Sequence, residues 1–331
     1  MDKRLNLENL KSAMERAGLS PAAVARELSV SRESVSKWLN GESLPRPDKL
    51  LRLGKRLGLP FADLVIREEA NAPIVAFRRM KGTKTRDHHI ERAQTMGRML
   101  RHLVPYLPSD RLAMPPVLKE PRCEYGYLQQ VAAMIRQEIH VEPLGTVDFA
   151  HLIRHFRKLQ AVVIPVLWGS KQRHENATHI FLPDSQTTWV YLNLDVNVHD
   201  FKFWMAHELG HCLAPSLRGD EAEDFADAFA GMLLFPTELA EACHARLARL
   251  KSEKGRLGEI MKTADEHIIS PWTVYKQTNA YAKAFGKHSF NLDQAMGPWV
   301  TRFNAGYLNV SNSLFSGSFP PEATSYVEVA T

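Results

Sequence analysis

Five consecutive residues, His207-Glu208-Leu209-Gly210-His211, carry the most specific chemistry in the chain. Histidines four apart on a helix lie one turn apart on one face, so both can offer nitrogen to a single Zn2+. Glu208 then lies beside the ion and can act as general base on a water held there, whose pKa zinc lowers to about 7. A catalytic zinc needs a third protein ligand and a position left open to water. Asp220, Glu221, Glu223, Asp224 and Asp227 follow at suitable range, and Glu223 and Asp227, four apart, can share a helix face. Most of this acidic group is expected to be a solvated helix face, with one member ligating. The chain holds 14 histidines, and chance alone gives an H-E-x-x-H in roughly a few per cent of such sequences. The surroundings therefore decide. Phe203-Trp204-Met205-Ala206 leads in as an apolar helix, a strand candidate precedes it, and the acidic helix follows.

The elements that must position these residues can be read from periodicity. Val198 to Ala214 is helical in pattern, and Phe225 to Phe235 is an apolar helix stopped by Pro236. Ala161 to Trp168, His179 to Leu182 and Thr188 to Leu194 are strand candidates, the last two separated by the turn-like Pro183-Asp184-Ser185. Glu124 to Ile139 and Thr146 to Leu159 read as amphipathic helices, and helices continue to about residue 285. His151 and His155 are also four apart, but no glutamate accompanies them, so ordinary packing is expected there. Cys212 points off the ligand face and is expected to act as a buried small hydrophobe. Trp299, Phe303, Tyr307, Phe315 and Phe319 are scattered through a tail rich in Ser, Asn, Gly and Pro, again with packing as the default.

A second constellation lies at the other end. Leu7, Leu10, Met14 and Ala17 recur at helical spacing. Ser20-Pro21 reads as an N-cap followed by proline at the first helical position, opening a helix to Leu28. After the short turn Ser29-Val30, Ser31 to Asn40 forms a third helix with Val35, Trp38 and Leu39 inward. Leu50, Leu51, Leu53 and Leu57 continue the core. Two short helices with a tight turn are the DNA-reading arrangement, the second helix entering the major groove. Its exposed set is Ser31, Arg32, Glu33, Ser36 and Lys37; Arg32 suits guanine, and Lys37 a phosphate or a base.

Charge agrees with two partners. The 331 residues sum to a formal charge of +5, yet residues 1–67 alone hold 13 Lys/Arg against 8 Asp/Glu, and residues 68–119 hold 10 against 5. Residues 200–240 carry 8 Asp/Glu against Lys202 and Arg218. A basic front and an acidic segment suggest two different partners, the alternative being that exposed lysines and arginines only keep the front soluble. Three cysteines without a C-x-x-C pair exclude a disulfide framework and a cysteine-built zinc finger, and fit a reducing cytoplasm. No stretch of about 18 apolar residues suggests a membrane span.

Residues 1–67 resemble the XRE/Cro-type repressors, through Gly18-Leu19-Ser20, Val24-Ala25, Leu28, Val30-Ser31, the run from Val35 to Gly41, and Pro45. Residues 125–285 resemble the ImmA/IrrE family of zinc peptidases, through the histidine motif, the run from Glu223 to Ala230, and Leu233-Leu234-Phe235-Pro236. That resemblance implies Glu223 as third ligand, with Asp227 and Phe235 standing where Asn and Met are usual. The expected fold class is therefore α+β and mostly helical: an N-terminal all-α helix-turn-helix bundle plus a zincin-like metallopeptidase domain with a small sheet. Expected boundaries are 1–67 for the DNA-binding domain, 68–121 for a basic connector with one helix, 122–286 for the peptidase domain and 287–331 for a C-terminal tail. The implied function is a cytoplasmic transcriptional regulator, a homodimer on a near-palindromic double-stranded DNA operator. Its Zn2+-dependent metalloendopeptidase cuts itself or a partner repressor. The alternative is an antitoxin or autorepressor whose C-terminal half binds a toxin or a signal without proteolysis.

Overall fold

Polar caps and aliphatic stripes account for the first helices. Asn6, Ser20 and Ser31 each accept a hydrogen bond from the backbone N–H three residues on, at Asn9, Ala23 and Ser34, a device that stabilises a helix start by about 1 kcal/mol. The computed structural model describes residues 3–41, 43–67, 71–76, 87–108, 117–168 and 177–316. The chain divides into two units, residues 1–72 and 73–331. The first comprises β1 (Lys3–Leu5), α1 (Leu7–Arg16), α2 (Pro21–Leu28), α3 (Arg32–Leu39), α4 (Pro47–Leu57), α5 (Phe61–Leu64) and β2 (Val65–Arg67). Leu10, Met14, Val24, Leu28, Val35 and Trp38 meet in its core. β1 pairs antiparallel with β2, Leu5 opposite Val65, tying the ends of the bundle together. Leu51, expected inward, is 72% exposed. The buried stripe of α4 runs through Leu50, Leu53 and Gly54, and Leu51 lies one residue off it.

The second unit begins with β3 (Ile74–Ala76) and α6 (Asp87–Leu100), which runs into a 3-10 turn. Then come α7 (Tyr125–Glu138), α8 (Phe149–Lys158), β4 (Val162–Val166), β5 (Ala177–Leu182), β6 (Thr187–Asn193), α9 (Val198–Leu213) and α10 (Gly219–Leu234). α11 (Thr237–Arg249), α12 (Glu253–His267), α13 (Pro271–Ala284), α14 (Asp293–Asn304) and α15 (Val310–Ser316) complete it. The sheet has the order β3-β5-β6-β4, antiparallel except for the parallel pair β6-β4. Alternate residues of each strand face opposite ways. Ile180, Leu182 and Trp189 pack with Leu100 and Met96 of α6 on one face. Val190 and Leu192 join Phe201, Met205 and Leu209 of α9 in the main core on the other.

Three expectations change. Of residues 68–121, expected as a connector, the described parts from Pro73 on belong to the second unit, with β3 as edge strand and α6 covering the sheet. Ile74 to Phe77 reads from sequence as a short extended candidate and Asp87 to Val104 as a basic helix, but neither pattern says which unit they join, and the prolines from Pro105 on read as loop. α10 starts at Gly219, six residues before the apolar run. Its first turns are acidic, which suits the positive end of the helix dipole. Residues 287–316, expected as a tail beyond the peptidase domain with its aromatics packed, belong to the second unit. Phe290, Leu292, Met296 and Val300 are buried in the main core, and Trp299, Phe303 and Tyr307 pack against it. The N–H groups of Val310 and Ser311 donate to the carbonyls of Val196 and Leu194, just before α9. Phe319 and the side chain of Phe315 lie outside the described residues.

His151 and His155 serve packing. His151 forms a capping box with Asp148 at the start of α8, while His155 is buried, both ring nitrogens without a partner among the described residues. Burial pulls His155 from 6.5 down to about 4. The unfolded chain therefore takes up the proton first. Stability from this ring is complete above pH 6.5 and is lost as pH falls towards 4. About 2 kcal/mol should be gone by pH 5. A His155→Leu variant should show a smaller drop in urea midpoint between pH 7 and pH 5 than the parent chain.

Candidate metal centre and nucleic-acid interface

α9 is apolar on almost every side and runs through the core. Asn197 caps its start, accepting from the His199 N–H. Its C-terminal turns lie tight against α10 at Gly210. A Cβ built there would stand 2.9 Å from Ala226 Cα and 3.2 Å from the ring of Phe229. Only a residue without a side chain permits this approach, and the approach brings Glu223 to the histidines.

The ligand atoms of His207, His211 and Glu223 all lie within 4.8 Å of one another. His207 Nε2 is 3.0 Å from His211 Nε2. Glu223 Oε2 is 3.5 Å from His207 Nε2, and Oε1 is 3.4 Å from His211 Nε2. Donors about 2.1 Å from a tetrahedral ion stand about 3.4 Å apart, so three corners of such a shell are present. Asp227 accepts from His207 Nδ1 at 2.9 Å, fixing the tautomer that points Nε2 at the other two ligand atoms. Asp220, Glu221 and Asp224 are exposed, the solvated face that composition suggested.

Electrostatics agree with a site built for a cation. Burial alone would pull His207 down, but Asp227 and Glu223 outweigh it and raise it to about 9. Burial would raise Glu223, yet hydrogen bonds from the two histidines bring it to about 2. His211 is lowered, chiefly by burial. Burial lifts Glu208 to about 8, and its Oε2 has no hydrogen-bond partner among the described residues. The Cys212 thiol is pushed well up by burial and stays inert.

His179 is a site residue that sequence reading passed over. It lies on β5, is fully enclosed, and its ring centroid is 5.6 Å from that of His211. Its Nε2 has no partner among the described residues. The available signal was a titratable side chain at an inward position of an otherwise apolar strand. On the other side a cleft of about 610 Å³, walled by Phe203, Trp204, Trp272, Asp224 and Asp227, meets the Nδ1 edge of His207 through Asp227.

In the first unit, Ser31, Arg32, Glu33, Ser36 and Lys37 are all exposed. Ser31 is committed as the cap of α3, its Oγ also 2.8 Å from Ser34 Oγ. Lys37 pairs with Glu33 at 2.9 Å, an exposed i,i+4 contact that yields readily to a phosphate. Arg32 opens α3 and is exposed.

Fold and site together define a DNA-binding bundle joined in one chain to a metallopeptidase-type unit. Residues 8–65 match the family model of a helix-turn-helix domain, and residues 164–265 match that of the IrrE N-terminal-like domain. The chain thus joins an XRE-type helix-turn-helix domain to an ImmA/IrrE-type domain, as the motifs implied. No curated protein matches it. No described helix is long and apolar enough to cross a membrane.

Metal content of the purified chain should be about one ion per molecule and should be lost in His211→Ala and Glu223→Ala. Asp227→Ala should weaken binding 10- to 100-fold without abolishing it. Gly210→Ala gains helix propensity of about 1 kcal/mol but forces α10 away. It should cost at least tenfold in metal affinity, read by competition with a chromogenic chelator.

Proposed function

We propose that the protein is a transcriptional regulator whose second unit is a zinc-dependent endopeptidase, cutting itself or a partner regulator to change operator occupancy. The observation that carries this is the His207–His211–Glu223 cluster with Glu208 enclosed beside it. Zinc, when bound, would supply an electrophile that polarises a peptide carbonyl and acidifies water. The chain's own residues do the rest. Asp227 holds the His207 ring. Glu208 takes a proton from the attacking water and returns it to the leaving amine. A neighbouring cation draws its pKa down from about 8, towards the range of a working base near neutral pH.

The DNA reading rests on α3 and on the basic surplus of residues 1–67. One such module offers limited area and affinity, so a homodimer on a near-palindromic site is proposed. A reducing cytoplasm suits the three free cysteines.

Glu208→Gln should keep the metal and operator affinity while lowering cleavage of a repressor substrate by 10²–10⁴. Regulation that survives this change intact would overturn the peptidase reading in favour of a binding-only antitoxin or sensor. Arg32→Ala should relax base preference at one position of each half-site by about 1–3 kcal/mol, and Lys37→Ala should lower the salt dependence of binding by about one phosphate contact. Gel shift over a salt series reads both.

A further inference from the structure

The ligand set is nearly sealed. His207 is 0% and His211 4% exposed, and the Glu223 side chain only 12%. A peptidase must admit main chain to these atoms, so what closes the site has a functional meaning. On the His211 side the closure is shared by β3 and the turn from Ala214 to Gly219. Ile74, Val75 and Ala76 share with His179, His211 and Arg218 a crevice of only about 20 Å³. Such a space holds about one water and no peptide.

β3 also lies in the manner of a bound peptide. It is three residues long, extended and antiparallel on the outer edge of β5. The register sets Ala76 opposite His179, the residue whose ring touches that of His211. A free strand edge is where an extended peptide adds, through main-chain hydrogen bonds. β6 takes the other edge of β5, so among the described residues β3 lies on the edge that remains, opposite Phe181, Ile180 and His179. β3 lies outside both matched family spans and is the first element after the boundary at residue 72. Its hold is slender. Val75 packs under α6, and Pro73 lies against Gly97, where a Cβ would come within 2.5 Å of the proline ring.

We propose that β3 is a built-in occupant of the substrate edge: an extended segment of the target adds to β5, beside His179 and His211, only when Ile74–Ala76 leaves. This rests on the metallopeptidase reading and adds its regulation. In sequence the strand comes immediately after the boundary at residue 72.

Two full-length variants loosen β3 without touching a ligand. In Val75→Pro/Ala76→Pro, consecutive N–H groups of a strand point opposite ways, so one lost donor is necessarily a ladder donor. In Gly97→Ala the new methyl overlaps Pro73 at 2.5 Å, while Ile180 of β5 stands at 3.0 Å and gives by a few tenths of an ångström. The zinc-loaded proteins would be mixed with a chromogenic chelator, and separately with a fluorescent peptide of sequence Pro-Ile-Val-Ala-Phe. Zinc should leave both variants at least tenfold faster than the parent chain. The peptide should bind the double-proline variant and not the parent. Unchanged zinc release in both variants, with far-ultraviolet circular dichroism intact, overturns the proposal, as does a peptide that fails to bind a folded double-proline variant. Should the double-proline variant fail to fold, Gly97→Ala alone decides by its zinc release. A parent chain that takes up no zinc at all would instead remove the metal reading beneath it, a result distinct from either outcome above.

Discussion

The site depends on one steric fact: at Gly210 two helices come closer than any side chain would allow. Both histidines ride on α9, so their mutual spacing is local and comes with the helix. Glu223 is on another helix, and its distance is set by packing alone. The small residues Ala222, Ala226 and Ala230 of α10 are all buried, and Ala226 meets Gly210. Phe225 and Phe229, fully buried next to them, each contribute about 2–3 kcal/mol of apolar burial and hold the contact shut. The cost of bringing a carboxylate and two imidazoles out of water is offset by this packing together with the mutual neutralisation of the groups.

The supporting parts follow from that contact. Asp227 is one turn beyond Glu223, so the geometry that delivers a ligand to one edge of His207 delivers an acceptor to the other. The sheet supplies the floor, with His179 beneath His211. The last helices fix the loop entering α9 through Val310 and Ser311. In the first unit the organising force is simpler. Side-chain caps define where each helix begins, and one aliphatic cluster sets how they cross.

Much of this was legible in the residues. The histidine pair, the strands at 162–166, 177–182 and 187–193, and the caps Ser20 and Ser31 follow from local rules that tertiary structure did not override. Glu223 needed more. Spacing offered several carboxylates, and only a family resemblance separated it from Asp227, because which face of α10 meets α9 depends on Gly210. What stayed hidden was non-local or brief. Ile74 to Phe77 was legible as a short extended segment, but its pairing with β5, about 100 residues on, was not. Leu51 shows that a leucine beside a stripe is not in the stripe. His179 looked like a strand residue because its partner is 32 positions away in sequence. The residues after 287 looked loose because their polar composition hid Phe290, Leu292 and Met296, which the core absorbs.

The latch formed by Val310 and Ser311 bears on the order in which the molecule comes into being. A chain leaving the ribosome completes its DNA-binding bundle once residue 67 has emerged, and domains fold as units during synthesis. The second unit has no complete core until Met296 and Val300 arrive, and the loop entering α9 is not secured until residue 311. A nascent or truncated product would therefore carry a finished helix-turn-helix domain long before it carried a finished His207–His211–Glu223 cluster. Premature termination would leave the helix-turn-helix domain folded and the His207–His211–Glu223 cluster unassembled.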